Sequence, residues 1–190
     1  MVNCCHQKKR EDQRMMWKRW MIGLLALLLL GGSTAYACDD RQGDEALHRH
    51  IAALCEEYGV PELLVHAVID RESSWNAGAV NADGNCHGLM QIHEMNFGSL
   101  QRELGLSDLT DPYQNVEAGI SMLSDYIARY LDYHMALMCY NCGEAGARKQ
   151  WAQGQYESDY SRWVMDRMHD LEWEALSAAR EKCRRDSAGA

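Results

Sequence analysis

The segment LLVHAVIDRE at residues 63–72 decides the fold of this chain, because it predicts a buried helix that ends in a carboxylate. The segment is apolar nearly all round, and Leu64, Val68 and Glu72 share one face at a spacing of four residues. Glu72 therefore extends from a buried stripe, and it is the residue whose role the rest of the sequence has to explain.

The position of Glu72 favours a protonated carboxyl group. Burial raises the pKa of a carboxyl group, and the negative end of the helix dipole acts in the same direction. A carboxyl group that keeps its proton near neutral pH can serve as a general acid. The alternative is a glutamate that ends a helix and faces water, which is the more common situation for a lone carboxylate.

Four short motifs surround this helix end in a fixed order. They are ES at 72–73, AVN at 79–81, GLMQI at 88–92 and YNCG at 140–143. In order and spacing they resemble the motif series of soluble lytic transglycosylases, over about Ala46 to Val164. The resemblance implies a mainly α, lysozyme-like fold with at most a small β hairpin or lobe.

The resemblance also implies a catalytic site, with Glu72 as the acid and Tyr140 facing it across a cleft. It implies substrate-binding roles for Ser73, Asn81, Met90, Gln91, Tyr140, Asn141 and, from a late helix, Tyr160. Leu89 and Ile92 are interpreted as core residues. Asn81 stands where many members of the family have Ser, and its longer amide side chain adds a second donor. No cofactor and no metal are expected.

The expected reaction uses one carboxylate. In the family the acid works alone, the N-acetyl group of the substrate assists departure of the leaving sugar, and a 1,6-anhydromuramyl end forms without water. Two other classes of function stay open. One is a hydrolytic muramidase in which Asp83 or another carboxylate places water, since ordinary glycosidases use two carboxylates. The other is a non-catalytic peptidoglycan-binding module in which Glu72 only hydrogen-bonds sugar.

Residues 1–37 predict an export signal. Six Lys and Arg residues precede an apolar run at 21–30, and Ala35-Tyr36-Ala37 is typical of a cleavage site. An uncleaved anchor is the alternative, although Gly31 and Gly32 end the run short of the roughly 20 residues of a spanning helix. Cleavage would leave Cys38 first, where lipid attachment is a minor option. We expect the chain in the periplasm, at the cell envelope or secreted.

The charge of the chain restricts its partners. Without residues 1–37 it keeps 13 basic and 26 acidic residues, a formal net charge of −13. Nucleic-acid binding depends on neutralising phosphates, so this chain is a poor candidate for it. The expected partners are peptidoglycan glycan strands, held by hydrogen bonds and stacking, with cell-envelope machinery as a further class. We expect a monomer.

The cysteines predict disulfides. Six follow residue 37, and an even number in an exported chain favours pairing. Cys86 and Cys139 each precede a motif, and they would meet if those motifs share a cleft. The alternative is a zinc site, because Cys86 and His87 together with Cys139-x-x-Cys142 supply enough ligands.

The periodicity beyond residue 37 is helical almost throughout and predicts a single domain over 38–183. Helices are predicted at 44–58, 61–72, 95–104, 111–131, 133–142 and 158–183, with an irregular stretch or hairpin at 73–88. Residues 184–190 are predicted to be a disordered tail. Trp151 and Trp163 are interpreted as core side chains.

Overall fold

The structure is a computed structural model that describes residues 45–188. The predicted export signal and its cleavage site lie outside these residues. The helices are α1 (Glu45–Tyr58), α2 (Glu62–Glu72), α3 (Phe97–Leu104), α4 (Pro112–Tyr130), α5 (Tyr133–Trp151) and α6 (Asp159–Ala188). Two short strands, β1 (Cys86–His87) and β2 (Ile92–His93), and a 3₁₀ turn, Glu94–Asn96, lie between α2 and α3. The predicted mainly α class is confirmed.

Helix α2 lies at the centre of the core. Pro61 precedes its first residue, and the helix ends at Glu72 as the sequence predicts. Leu64, Val65 and Val68 are fully buried, which agrees with a segment that is apolar nearly all round. Helix α6 packs against α2, and α4 packs against both α1 and α5. Helix α1 also packs against α2, so burial against α1 and α6 sets the position of its last residue.

The hairpin follows α2 and carries two of the four motifs. Strands β1 and β2 pair in antiparallel register, with Cys86 opposite His93 and His87 opposite Ile92. An isolated bridge joins Val80 to His87. This small sheet starts within the predicted irregular stretch and extends past it, because the GLMQI motif forms the turn between the strands.

The long helices begin at side-chain caps. The carboxylate of Asp111 accepts a hydrogen bond from the backbone N–H of Gln114, and Asp132 accepts one from Met135. The predicted end of the next helix at residue 142 corresponds to a kink in α5 at Gly143, which has a φ of 72°. Glycine adopts this left-handed conformation without a Cβ clash, so the helix can change direction there and continue to Trp151.

Helix α6 is longer than the sequence predicts. It continues past Cys183 to Ala188, so residues 184–188 are helical in the structure. Its buried side chains end at Met168. The core assignment of Trp163 is wrong, because this side chain is 39% exposed and lies against the guanidinium group of Arg71, 5.2 Å from the ring centroid. Trp151 packs against a separate cluster of Met138, Cys139 and Ala147.

The described cysteines are Cys55, Cys86, Cys139, Cys142 and Cys183, and all five carry free thiols. The predicted Cys86–Cys139 disulfide is not formed. Cys139 is buried in the cluster with Met138 and Ala147, whereas Cys86 lines the cleft beside the hairpin. Within residues 45–188, no helix is both long and apolar enough to cross a bilayer.

Candidate active site

A cleft of about 250 Å³ lies where the end of α2, the hairpin, α4 and α5 meet. It is lined by one carboxylate, several polar side chains and a few apolar ones, namely Glu72, Asn81, Cys86, Gln91, Ile92, His93, Asn96, Met122, Tyr140 and Asn141. Five of the eight predicted site residues, Glu72, Asn81, Gln91, Tyr140 and Asn141, are therefore brought to one surface. Residues from four separate motifs meet there only because the helices pack as they do.

Glu72 is the last residue of α2, and its side chain enters the cleft. The hydroxyl group of Tyr160 donates a hydrogen bond of 2.5 Å to its Oε1 atom. Burial raises the pKa of Glu72, and this effect exceeds the opposing effects of the Tyr160 hydrogen bond and the nearby Arg71 charge. The carboxyl group is thus held in place and biased toward its protonated form.

Tyr140 occupies the cleft but does not bond to Glu72. Its hydroxyl group donates to the backbone carbonyl of Met90 at 2.8 Å. Burial and then the proximity of Glu72 raise the pKa of Tyr140 well above its ordinary value. The direct hydrogen-bonding partner of the acid is therefore Tyr160, which is buried on α6, and not the tyrosine of the YNCG motif.

Two of the predicted substrate-binding residues, Ser73 and Met90, stabilise the structure around the cleft and are not part of its lining. The Ser73 hydroxyl donates to the carbonyl of Leu89 at 2.8 Å, which joins the end of α2 to the hairpin turn. Met90 is fully buried, and its side chain packs so closely on Gly119 that a Cβ there would lie 2.3 Å from the sulfur. Met90 therefore contributes its backbone carbonyl to the site and its side chain to the core. The predictions that Leu89 and Ile92 are core residues agree with their burial.

Asn81 closes the loop that precedes β1. Its Oδ1 atom accepts hydrogen bonds from the backbone N–H groups of Asn85 and Cys86 at 2.9 and 3.0 Å, and its Nδ2 atom donates to the Asn85 side chain at 2.9 Å. A serine hydroxyl has only one donor and a shorter reach. The Asn81 amide thus fixes the conformation of this loop, and Asn81 also lines the cleft.

Gln91 holds the other side of the hairpin. It lies in the left-handed region with a φ of 48°. Its amide nitrogen donates to the carbonyl oxygens of Ala79 and Gly88 at 3.1 and 2.9 Å. These bonds connect the GLMQI turn to the loop that follows α2, so Gln91 shapes the cleft as well as lining it.

Asn115 is a structural residue of the site that sequence reasoning missed. This fully buried side chain accepts from the N–H of Met90 at 2.9 Å and donates to the carbonyls of His87 and Leu109, both at 2.8 Å. Gly88 has a φ of 75°, and a Cβ there would lie 2.4 Å from the Asn115 amide. A polar residue within the apolar face of α4 was the signal that could have identified it.

Asp70 and Arg167 form a second support that sequence reasoning missed. The carboxylate of Asp70 accepts a bond of 2.8 Å from the indole N–H of Trp75 and one of 2.6 Å from Nε of Arg167. The Asp70 side chain is 9% exposed and that of Arg167 is 18% exposed. This pair joins α2 to α6 close to Glu72 and Tyr160, and so it holds the elements that carry the acid and its hydrogen-bond donor.

The other candidate carboxylates lie away from the cleft lining. Asp83 is exposed in the loop before β1, and Oε1 of Glu94 lies 2.9 Å from Nε2 of His87. The alternative zinc ligands are not assembled, because no group of three or more His, Cys, Asp and Glu side chains within residues 45–188 is placed to hold a metal ion.

Comparison with known sequences identifies the family. A sequence model of the transglycosylase SLT domain matches residues 50–164. The chain is 29% identical over 115 residues to protein IpgF of Shigella flexneri, covering 57% of this chain and 75% of that protein. It is 32% identical over 111 residues to the invasion protein IagB of Salmonella typhimurium, covering 53% and 69%. A transglycosylase of Enterobacteria phage PRD1 is 32% identical over 93 residues, 49% of this chain and 33% of that protein.

Solved structures show the same fold. The lytic transglycosylase Slt of Pseudomonas aeruginosa, in an inactive E503Q mutant, aligns with a TM-score of 0.53 at 17% identity over 70% of this chain. The 70 kDa soluble lytic transglycosylase of Escherichia coli aligns with a TM-score of 0.51 at 18% identity over 68% of this chain. The chain spans about a quarter of the length of each, 24% and 23%. The chain has the lysozyme-like fold of these solved lytic transglycosylases, and over residues 50–164 it belongs to the transglycosylase SLT domain family.

Proposed function

We propose that this chain cleaves the β-1,4 bond between MurNAc and GlcNAc in peptidoglycan without water and leaves 1,6-anhydroMurNAc ends. The observation that carries the proposal is the solitary buried carboxylate: Glu72 is the one acidic side chain among the described residues that line the cleft. Ordinary glycosidases need two carboxylates. A reaction in which the substrate supplies its own nucleophile fits a site that offers only one.

In this mechanism Glu72 acts twice. The protonated carboxyl group donates its proton to the glycosidic oxygen, and the GlcNAc side of the broken bond leaves as an alcohol. The carbonyl oxygen of the MurNAc N-acetyl group stabilises the anomeric carbon as the bond breaks. The carboxylate of Glu72 then takes the proton from the 6-hydroxyl group while that oxygen attacks the anomeric carbon, so the acid is regenerated and no water is consumed.

The residues around Glu72 orient its carboxyl group and offer hydrogen-bonding groups to the sugar. The Tyr160 hydroxyl holds one carboxyl oxygen, which limits rotation of the acid. Asn81, Gln91 and Asn141 line the cleft with amide groups, which can hydrogen-bond the hydroxyl and acetamido groups of a glycan. No Lys or Arg is among the described residues that line the cleft, so sugar contacts rather than charge would hold the polymer.

The proposal includes the place of action. Enzymes of this family act on peptidoglycan, which lies outside the cytoplasm, and residues 1–37 have the pattern of an export signal. We propose that the chain is exported and acts in the periplasm, at the cell envelope or after secretion.

Digestion of purified sacculi with the purified chain, followed by mass spectrometry of the muropeptides, tests the function. We expect products that are lighter by one water than those of a muramidase. Glu72→Gln keeps the shape of the side chain but cannot transfer a proton, so turnover should fall by about 100- to 10,000-fold. The matched controls are Asp83→Asn and Glu94→Gln, which remove a carboxylate outside the cleft and should keep the parent rate.

Each failure has a distinct meaning. Hydrated reducing ends would identify a muramidase, in which water replaces the 6-hydroxyl group. Binding to sacculi without any turnover would identify a peptidoglycan-binding module. If Glu72→Gln kept more than about a tenth of the parent rate while Asp83→Asn lost it, Asp83 would be the acid.

A further inference from the structure

The final part of α6, residues 169–188 (the extension), continues beyond the part of the chain that the family match covers. The match ends at residue 164, and the helix runs to Ala188. Met168 is the last buried side chain of the helix, and those of the extension are exposed or only partly buried. A solvated helix of this length gains little from its own backbone hydrogen bonds, because most helical stability in proteins comes from packing. The extension thus offers an unpartnered surface.

One face of the extension has the spacing of a coiled-coil seam. Trp173, Leu176, Arg180 and Cys183 follow one another at alternating intervals of three and four residues, which places them along one stripe. Trp173 is 64% exposed and Leu176 is 55% exposed. The stripe begins with the apolar side chains of Trp173 and Leu176 and continues with the cation of Arg180. The guanidinium group of Arg180 lies 6.0 Å from the ring centroid of Trp173.

Opposite charges occupy the two halves of this part of α6. Residues 166–174 contain four carboxylates, with Arg167 as the counter-charge, so this half is acidic. Residues 180–186 contain Arg180, Lys182, Arg184 and Arg185 against Glu181 and Asp186, so this half is basic. Two copies of the helix complement each other in charge only when they run antiparallel. A parallel pair in register would place Arg180 against Arg180 within the seam and like-charged halves side by side.

We propose that two copies of this chain associate through their extensions as an antiparallel two-helix coiled coil, in place of the monomer expected from the sequence. The pairing is centred between Leu176 and Arg180, so that Leu176 faces Arg180 of the second copy and Trp173 faces its Cys183. The acidic half of each helix then lies beside the basic half of the other, and the exposed tryptophan becomes buried. The helix dipoles also oppose each other, which favours this orientation. The two catalytic domains lie at opposite ends of the pair.

Sedimentation equilibrium of the full chain over a range of concentrations tests the association. We expect a concentration-dependent dimer. Trp173→Glu should give a monomer with unchanged turnover, because this side chain lies outside the core and the cleft. Its melting temperature should equal that of the parent at concentrations where the parent is monomeric. Asp170→Arg should weaken the dimer at least tenfold, because the antiparallel pairing places Asp170 beside Arg184 of the second copy at the edge of the seam. Adding Arg184→Asp to that variant should restore the dimer, which a purely structural role of these residues would not produce. Neither change removes the ion pair between Arg167 and Glu174.

Oxidative cross-linking tests the orientation. In the antiparallel pair the two Cys183 residues are ten positions apart along the helix, about 15 Å at 1.5 Å per residue, and should not cross-link. Trp173→Cys should form a disulfide with Cys183 of the second copy. A Cys183–Cys183 cross-link in the parent chain would overturn the antiparallel pairing. A monomer at every concentration would overturn the association itself. Sedimentation of the monomer with anionic lipid vesicles, lost in Trp173→Glu, would assign the stripe to a membrane instead.

Discussion

Burial acts on the pKa of Glu72 in one direction, and the Tyr160 hydrogen bond and the Arg71 charge act in the other. Burial disfavours the carboxylate, while the hydrogen bond from Tyr160 favours it, and burial is the larger effect. A buried group with a raised pKa and a positioned neighbour is the arrangement that general acid catalysis requires. The raised pKa of Glu72 also makes the free energy of unfolding depend on pH, and this can be measured separately from activity.

Glu72→Gln should change the pH dependence of stability. The pKa of Glu72 is higher in the folded chain than its ordinary value of 4.5, so the folded state binds this proton more tightly than the unfolded state. The free energy of unfolding that this tighter proton binding contributes is fully present below pH 4.5 and is lost as pH rises through the raised pKa of Glu72. Glutamine resembles the protonated acid, so the variant and the parent should have similar stability at low pH.

At pH values above the raised pKa of Glu72, Glu72→Gln should be more stable than the parent chain. Urea unfolding of both proteins across the pH range measures the difference in the free energy of unfolding. A parent chain that became more stable than Glu72→Gln as pH rose would show that the folded state stabilises the carboxylate, and the assignment of Glu72 as a proton donor would fail.

The two tyrosines of the site should respond differently to loss of their hydroxyl groups. Tyr160→Phe removes the hydrogen bond to Glu72 and raises the pKa of Glu72 further, so the loss of activity on the alkaline side should move to higher pH. Turnover should fall by about 10- to 100-fold, as expected for the 1.5–3 kcal/mol of a hydrogen bond to a charged group. The pH profile of turnover measures both effects.

Tyr140→Phe is the matched control. It leaves the carbonyl of Met90 without its hydroxyl donor, which should cost about 1 kcal/mol of stability. The pH profile should keep its position. A shift of the profile in Tyr140→Phe, with none in Tyr160→Phe, would assign the contact with the acid to Tyr140, as the family resemblance implied.

At the level of helices, the site depends on how α6 is attached to α2. Asp70 and Arg167 form a largely buried ion pair, and Asp70 also holds the indole of Trp75. This contact lies near the hydrogen bond between Glu72 and Tyr160, which joins the same two helices. The geometry of the acid is therefore a property of the packed helix pair, and weakening the pair should affect activity as well as stability.

Arg167→Met keeps much of the side-chain volume and leaves the Asp70 carboxylate without its cation. Loss of one partner of such a pair should destabilise the protein by about 2 kcal/mol, which lowers the melting temperature by about 4–8 °C. The control is Arg162→Met on the same helix, because Arg162 forms exposed ion pairs with Asp159 and Glu157 that contribute little. Thermal melts of both variants test this, and equal melting temperatures would contradict a special role for Arg167.

The whole molecule contains thiols of very different accessibility. Cys142 and Cys183 are exposed, whereas Cys55 and Cys139 are buried. Burial raises the pKa of Cys55 to about 12 and that of Cys139 to about 11, which keeps both in the unreactive thiol form at neutral pH. The order of reaction with a thiol reagent is therefore determined by the fold.

Alkylation without reductant should label Cys142 and Cys183 first in the native monomer, and all five described cysteines after unfolding. Peptide mass mapping measures the extent of labelling at each position. A pair that labelled only after reduction would identify a disulfide. If that pair were Cys86 and Cys139, the original prediction from the sequence would hold.

The sequence by itself predicted most of the helices and singled out Glu72 as the candidate acid. Pro61 before α2, Asp111 before α4 and Gly143 at the kink in α5 are local signals, because capping and backbone conformation depend on neighbouring residues. Glu72 could be identified because an acidic residue at the end of an apolar helix is costly unless it is used. The four motifs then specified the lysozyme-like fold, since their order along the chain is itself a sequence property.

Only the tertiary structure decided which side chains meet. Tyr160 bonds to Glu72 across 88 positions of sequence, whereas Tyr140 of the motif bonds to the backbone of Met90. The Met90 side chain lies in the core and Trp163 lies at the surface, contrary to their interpretation from sequence. The physical reason is that the direction of a side chain depends on the rotation and packing of its whole helix against distant helices, and close packing allows only one such arrangement.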